Sequence, residues 1–120
     1  MPLTPAAVRK HCLSFPGATV NRQWGNDHVF KVGGKMFAVV GIDDGKFHGL
    51  SFKAAADSFM ILTQLPGIVP APYLARHKWI LIEDVNAVSP KQLEKLIRQS
   101  YELIRMKQSK KTVKKAAKKK

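Results

Sequence analysis

The side chains best placed to do chemistry in this 120-residue sequence are its basic ones. Lys31, Lys35 and Lys46 stand beside glycine-bearing turns, Lys53 closes an apolar run, and Arg76, His77 and Lys78 are consecutive ahead of another such run. Cations on narrow hairpins can neutralise phosphates without reading bases, which positions a protein on a nucleic acid but carries no sequence information. The same pattern also fits a solvated face whose lysine stems cover a sheet edge. Residues 109–120, SKKTVKKAAKKK, add Lys110, Lys111, Lys114, Lys115, Lys118, Lys119 and Lys120 with no acid among them. Such a segment needs no fold to lie along a phosphate backbone. Each phosphate neutralised adds about −0.7 to −0.9 to the log–log salt slope of binding.

Other chemistries find less support. His11, His28, His48 and His77 lack metal-ligand spacing, and the single cysteine, Cys12, allows neither an internal disulfide nor a multi-thiolate zinc site. Cys12 falls on the apolar side of a helical pattern and reads as a small buried hydrophobe. Ser100 lies on an apolar helical stripe with no His and Asp constellation implied beside it, which suits packing better than nucleophilic attack. Gly33-Gly34-Lys35 lacks the Gly-x-x-x-x-Gly-Lys spacing of a phosphate loop and reads as a hairpin turn. Trp24 and Trp79 could stack on bases, but both sit in strand patterns and are read as core. No catalytic residue, cofactor or metal is therefore expected.

The elements that must hold these residues centre on Trp24–Lys53. Short β-rich runs are punctuated there by Gly33-Gly34 and Asp43-Asp44-Gly45, so the stretch predicts a three-strand β-meander, a strand carrying Val29–Val32 and then Lys35–Ile42 and Phe47–Lys53, with Thr19–Trp24 read as a first strand before it. An antiparallel sheet needs a cover on one face, and the amphipathic patterns Thr4–Leu13 and Pro90–Lys107 supply it. Thr4 with Pro5, and Ser89 with Pro90 and Gln92, are helix starts, the second a capping box. Leu3 can staple onto Val8. Phe59, Leu62 and Leu65 predict a helix from Ala54 that Pro66-Gly67 stops. Residues 68–74, with Pro70 and Pro72, read as an extended connection that cannot be a central strand. His77–Glu83 reads as the last strand. The fold class is α+β, with one domain over residues 1–108 and a disordered lysine tail over 109–120.

Lys plus Arg exceeds Asp plus Glu by 13, and seven of those charges fall in the tail. Strong basicity points to polyanionic partners, DNA before an anionic membrane, since the tail offers no aromatic or lipid anchor. No apolar run is long enough to span a bilayer, and MPLTPAAVRKH lacks signal-peptide order, so a cytoplasmic location is expected.

Phe15-Pro-Gly-Ala, Trp24-Gly25, Phe30-Lys-Val-Gly-Gly-Lys-Met-Phe37, Leu50-Ser-Phe-Lys53, Pro66-Gly67, His77-Lys-Trp79 and Ser100-Tyr101 together resemble the MmcQ/YjbR family of small bacterial proteins. The resemblance covers residues 5–104. It implies a two-layer, frataxin-like (CyaY-like) α/β fold and DNA binding through a double wing, and it supplies no catalytic residue. Lys35 and Lys53 lie on the shared pattern, whereas the tail lies outside it. The expectation is a monomeric, non-enzymatic DNA-binding protein of the nucleoid, gripping phosphates through basic hairpins and tail. The alternative is a module that binds a small ligand or protein beside Pro66–Leu74, around Ile68, Val69 and Tyr73. Iron handling by analogy of fold fares poorly, because only eight acids are scattered along the chain.

Overall fold

A computed structural model describes residues 4–23, 27–43, 46–72, 74–84 and 86–118. The elements run α1 (Pro5–Leu13), β1 (Ala18–Gln23), β2 (Asp27–Val32), β3 (Lys35–Asp43), β4 (Lys46–Lys53), α2 (Ala56–Leu62), β5 (Ile68–Pro70), a 3₁₀ turn (Ala75–His77), β6 (Trp79–Ile82) and α3 (Pro90–Lys118). One antiparallel sheet is ordered β1-β2-β3-β4-β6-β5.

Period-two alternation decides what the sheet buries. Phe30 and Val32, Ala38 and Val40, Leu50 and Phe52, and Ile80 and Ile82 form the strand side of one apolar cluster. Val8 and Cys12 of α1 and Leu93, Ile97 and Tyr101 of α3 close it. Val39, Ser51 and Leu81 are cross-strand partners on the other face, which carries no helix-borne cluster. Burial pushes the Cys12 thiol up to about 12, because a thiolate there would lose its hydration.

Local signals resolve as their chemistry requires. The Thr4 hydroxyl accepts from Ala7 N–H, and the Ser89 hydroxyl accepts from Gln92 N–H. Gly33 and Gly34 both have positive φ, 57° and 81°, giving a two-residue turn that sets Val32 opposite Lys35. The anticipated Leu3 staple, Trp24 and the Asp44-Gly45 hairpin tip lie outside the described residues.

Three readings change. Residues 68–70 form a sixth strand rather than a plain connection; Pro70 suits it to the edge, where Ile68 faces Ile82. The last strand along the chain starts at Trp79 and not His77, because residues 75–77 make a 3₁₀ turn that ends on Lys78 at φ 65°. Residues 109–118, expected to be disordered, continue the backbone of α3. Lysine and alanine are good helix formers, and no glycine or proline interrupts them, so nothing in the covalent chain stops the helix.

Candidate nucleic-acid interface

The meander gathers the basic candidates at one end of the sheet. Lys35 opens β3, Lys53 closes β4, and Trp79 opens β6 directly opposite Lys53. The α3 residues Ile104 and Lys107 complete a cavity of about 270 Å³ at this end. Its polar lining is the ammonium groups of Lys35, Lys53 and Lys107 together with His77; its apolar lining is Met36, Trp79 and Ile104. No carboxylate is among those residues.

Ser100 fixes this end. The regular β3–β4 ladder reaches Ala38 opposite Phe52. One position further, the Ser100 hydroxyl donates to the Phe37 carbonyl at 2.6 Å and accepts from Lys53 N–H at 2.9 Å. A helix side chain thus replaces a rung of the sheet, and α3 is tied to the strands that carry Lys35 and Lys53. Ser100 is fully buried with its hydroxyl committed on both sides. The packing role read from its position is joined by a ladder role.

The Lys53 ammonium donates to the His77 carbonyl at 2.7 Å. That carbonyl is presented by the turn into β6, where Lys78 is the one non-glycine residue of positive φ among the described residues. Its N–H donates to Ala75 O, its carbonyl accepts from Ala54 N–H, and its ammonium sits 5.3 Å from the Phe59 ring centroid. Left-handed backbone costs about 1–2 kcal/mol in an L-residue, so these contacts hold the turn in place. Burial, and then the charges of Lys107 and Lys78, lower the Lys53 pKa from its ordinary value. The cations crowd one another without a counter-charge.

Not every expected residue joins this group. Lys31, half-buried in β2 opposite Met36, stands at the same end without lining the cavity, and Arg76 is exposed in the turn. Lys46 pairs with Asp43 at the other end of β4, about 23 Å away at 3.3 Å per residue. Lys110, Lys111, Lys114, Lys115 and Lys118 lie on the α3 backbone, whereas Lys119 and Lys120 lie outside the described residues. Trp79 is core, as read, yet its remaining surface faces the cavity. Lys107 is the residue that sequence reasoning missed. The signal was available: Ser100, Ile104 and Lys107 recur at spacings of four and three, one stripe of a helix.

A second hollow, about 440 Å³, includes Asp27, His48 and Glu83 with Val39 and Leu81 from the face without helices. Its carboxylates give it the wrong sign for phosphate. The Asp27 carboxylate is already used, accepting from Ile42 N–H at 3.2 Å. Among the described residues, none of 66–72 and 74 lines either hollow, and Tyr73 lies outside the described residues. Among the described residues, no three His, Cys, Asp or Glu side chains gather as metal ligands would, and no helix is long and apolar enough to cross a membrane.

Comparison with known proteins adds kinship. No curated protein matches the sequence. A Deinococcus radiodurans protein with a DUF419 domain superposes with a TM-score of 0.76 at 25% identity, over 87% of this chain and 80% of that one. A Pseudomonas syringae protein shares the fold with a TM-score of 0.64 at 20% identity, over 82% of this chain and 97% of that one. The YjbR family model matches residues 13–103, which hold the whole sheet, Lys35, Lys53, His77 and the Ser100 bridge, while Lys107 and the tail fall beyond it. By that match the chain belongs to the YjbR family.

Proposed function

We propose that this domain is a non-enzymatic nucleic-acid-binding module that grips the phosphate backbone with little sequence preference. The observation that carries the proposal is the meeting of Lys35, Lys53, His77 and Lys107 around one cavity with no acid among its described lining residues. Phosphate contacts of this kind fix position without reading bases. The lysine-rich end of α3 extends from the same cluster. Lys107, Lys111, Lys114 and Lys118 recur in the sequence at spacings of four, three and four. The nucleophile candidates support a non-enzymatic role: Ser100 is committed to the sheet, and Cys12 is buried with its thiol held protonated.

Fluorescence anisotropy of a labelled duplex at several salt concentrations tests this with the full chain. Lys35→Gln with Lys107→Gln is expected to weaken binding and to flatten the log–log slope by about 0.9 for each phosphate contact removed. Glutamine at the seven tail lysines is expected to flatten it further. Undetectable duplex binding at low salt, or an affinity indifferent to both sets of substitutions, would sink the proposal.

A further inference from the structure

A backbone-gripping surface needs no cavity, and this one has a cavity floored with apolar side chains. The lining divides by chemistry into ammonium groups from three separate elements, β3, β4 and α3, and an apolar wall from Met36, Trp79 and Ile104. Flexible lysines on an open face would repel one another and spread into solvent. Here Lys53 is held in place by its bond to the His77 carbonyl, and its β-strand is pinned by Ser100. Lys35 and Lys107 are exposed and free of any acidic neighbour in the lining.

We propose that the cavity binds a terminal phosphomonoester, its phosphoryl group between Lys35, Lys53 and Lys107 and a ring or other apolar body against Trp79, Met36 and Ile104. The reasoning from charge favours a monoester over a backbone diester. A diester brings one negative charge to three ammonium groups, whereas a monoester brings close to two and three acceptor oxygens. Burial first, and then the charges of Lys107 and Lys78, lower the Lys53 pKa, and a bound anion would offset the second of these. Size agrees. At about 270 Å³ the cavity falls just below the usual range for drug-sized ligands, about 300–1,000 Å³, which suits a phosphoryl group carrying one ring system. The ligand could be a free nucleotide or the phosphorylated end of a strand, since both present this group. The site shares cations with the proposed duplex surface but does not rest on that reading, because the same lysines and apolar wall would hold a phosphomonoester whether or not a duplex binds.

Calorimetric titration of the full chain with adenosine 5′-monophosphate, adenosine and inorganic phosphate tests the inference. The monophosphate is expected to bind at least about tenfold more tightly than adenosine, the ratio that one charge-assisted contact supplies. Lys35→Gln and Lys107→Gln, both exposed and outside the core, are each expected to weaken it severalfold with no change in melting temperature. Equal affinity for adenosine and its monophosphate, no heat from either, or indifference to both substitutions would overturn the site. Two oligonucleotides identify the source: tighter binding of a 5′-phosphorylated strand than of its 5′-hydroxyl twin supports a strand end, and preference for the free nucleotide alone supports a small-molecule ligand. A 5′-hydroxyl duplex run in parallel separates the two proposals. Duplex binding without nucleotide binding removes the cavity site and leaves the backbone surface standing; nucleotide binding without duplex binding does the reverse.

Discussion

Ser100 shows how much one hydroxyl can hold. Its two partners, Phe37 O and Lys53 N–H, are 63 and 47 residues away in sequence. Ser100→Ala leaves a buried carbonyl and a largely buried amide without partners, and each such group costs about 1–3 kcal/mol. The expected loss is about 2–3 kcal/mol by urea denaturation, with little change in the slope of unfolding free energy against urea. A loss below about 0.5 kcal/mol would mean that water replaces the hydroxyl and that the bridge is not structural. The sequence showed a small hydroxyl in a buried stripe, because that depends only on helical spacing. Its partners were illegible, because they are set by where two strands end beneath the helix. Lys107 was the opposite case, legible from the stripe and overlooked amid the lysines around it.

At the scale of elements, the turns were the most legible feature and the sheet order the least. Glycine pairs and proline caps act through their own backbone, so Gly33-Gly34, Thr4-Pro5 and Ser89-Pro90 could be placed from local chemistry. Nothing local says that β6 inserts between β4 and β5, or that a three-residue run ending in Pro70 finds an edge. The β3–β4 pair also carries an irregularity between Gly41 and Ile42, where Gly49 faces Gly41. Gly49 has φ +137°, and a Cβ built there would lie 2.9 Å from Leu81 Cδ1. The leucine tip can swing aside, but the backbone cannot leave its conformation without breaking register. Gly49→Ala is therefore expected to destabilise by about 2 kcal/mol in thermal or chemical unfolding. Adding Leu81→Ala should not restore the loss; full recovery in the double variant would place the effect in the side-chain clash instead.

The whole molecule is longer than its core. It extends 51 × 29 × 26 Å, and the 29 residues of α3 alone span about 43 Å at 1.5 Å per residue. Packing against the core reaches Ile104, and the cavity reaches Lys107. Ending the chain after residue 108 should thus leave the melting temperature within about 2 °C while lowering the helical signal in far-ultraviolet circular dichroism, since no described core residue is removed. A fall of 5 °C or more would mean that the lysine-rich turns contribute to the core's stability. Composition distinguishes the tail, residues 109–120, from the rest of the chain by charge. The helical course of its backbone could not be read from a lost apolar period, because that period reports burial and not backbone conformation.

The place of α3 in the chain also sets an order of birth. All six strands are encoded by residue 82, before Leu93, Ile97, Ser100 or Tyr101 has been added. The strands are therefore synthesised before α3 can cover its share of their apolar face or bridge the Phe37 carbonyl, and until then α1 is a long-range cover already made. The arrival of α3 ends that interval by burying the face, and the same residues bring Lys107 to Lys35 and Lys53. The cationic cavity and the finished core therefore depend on the same last element and are completed together.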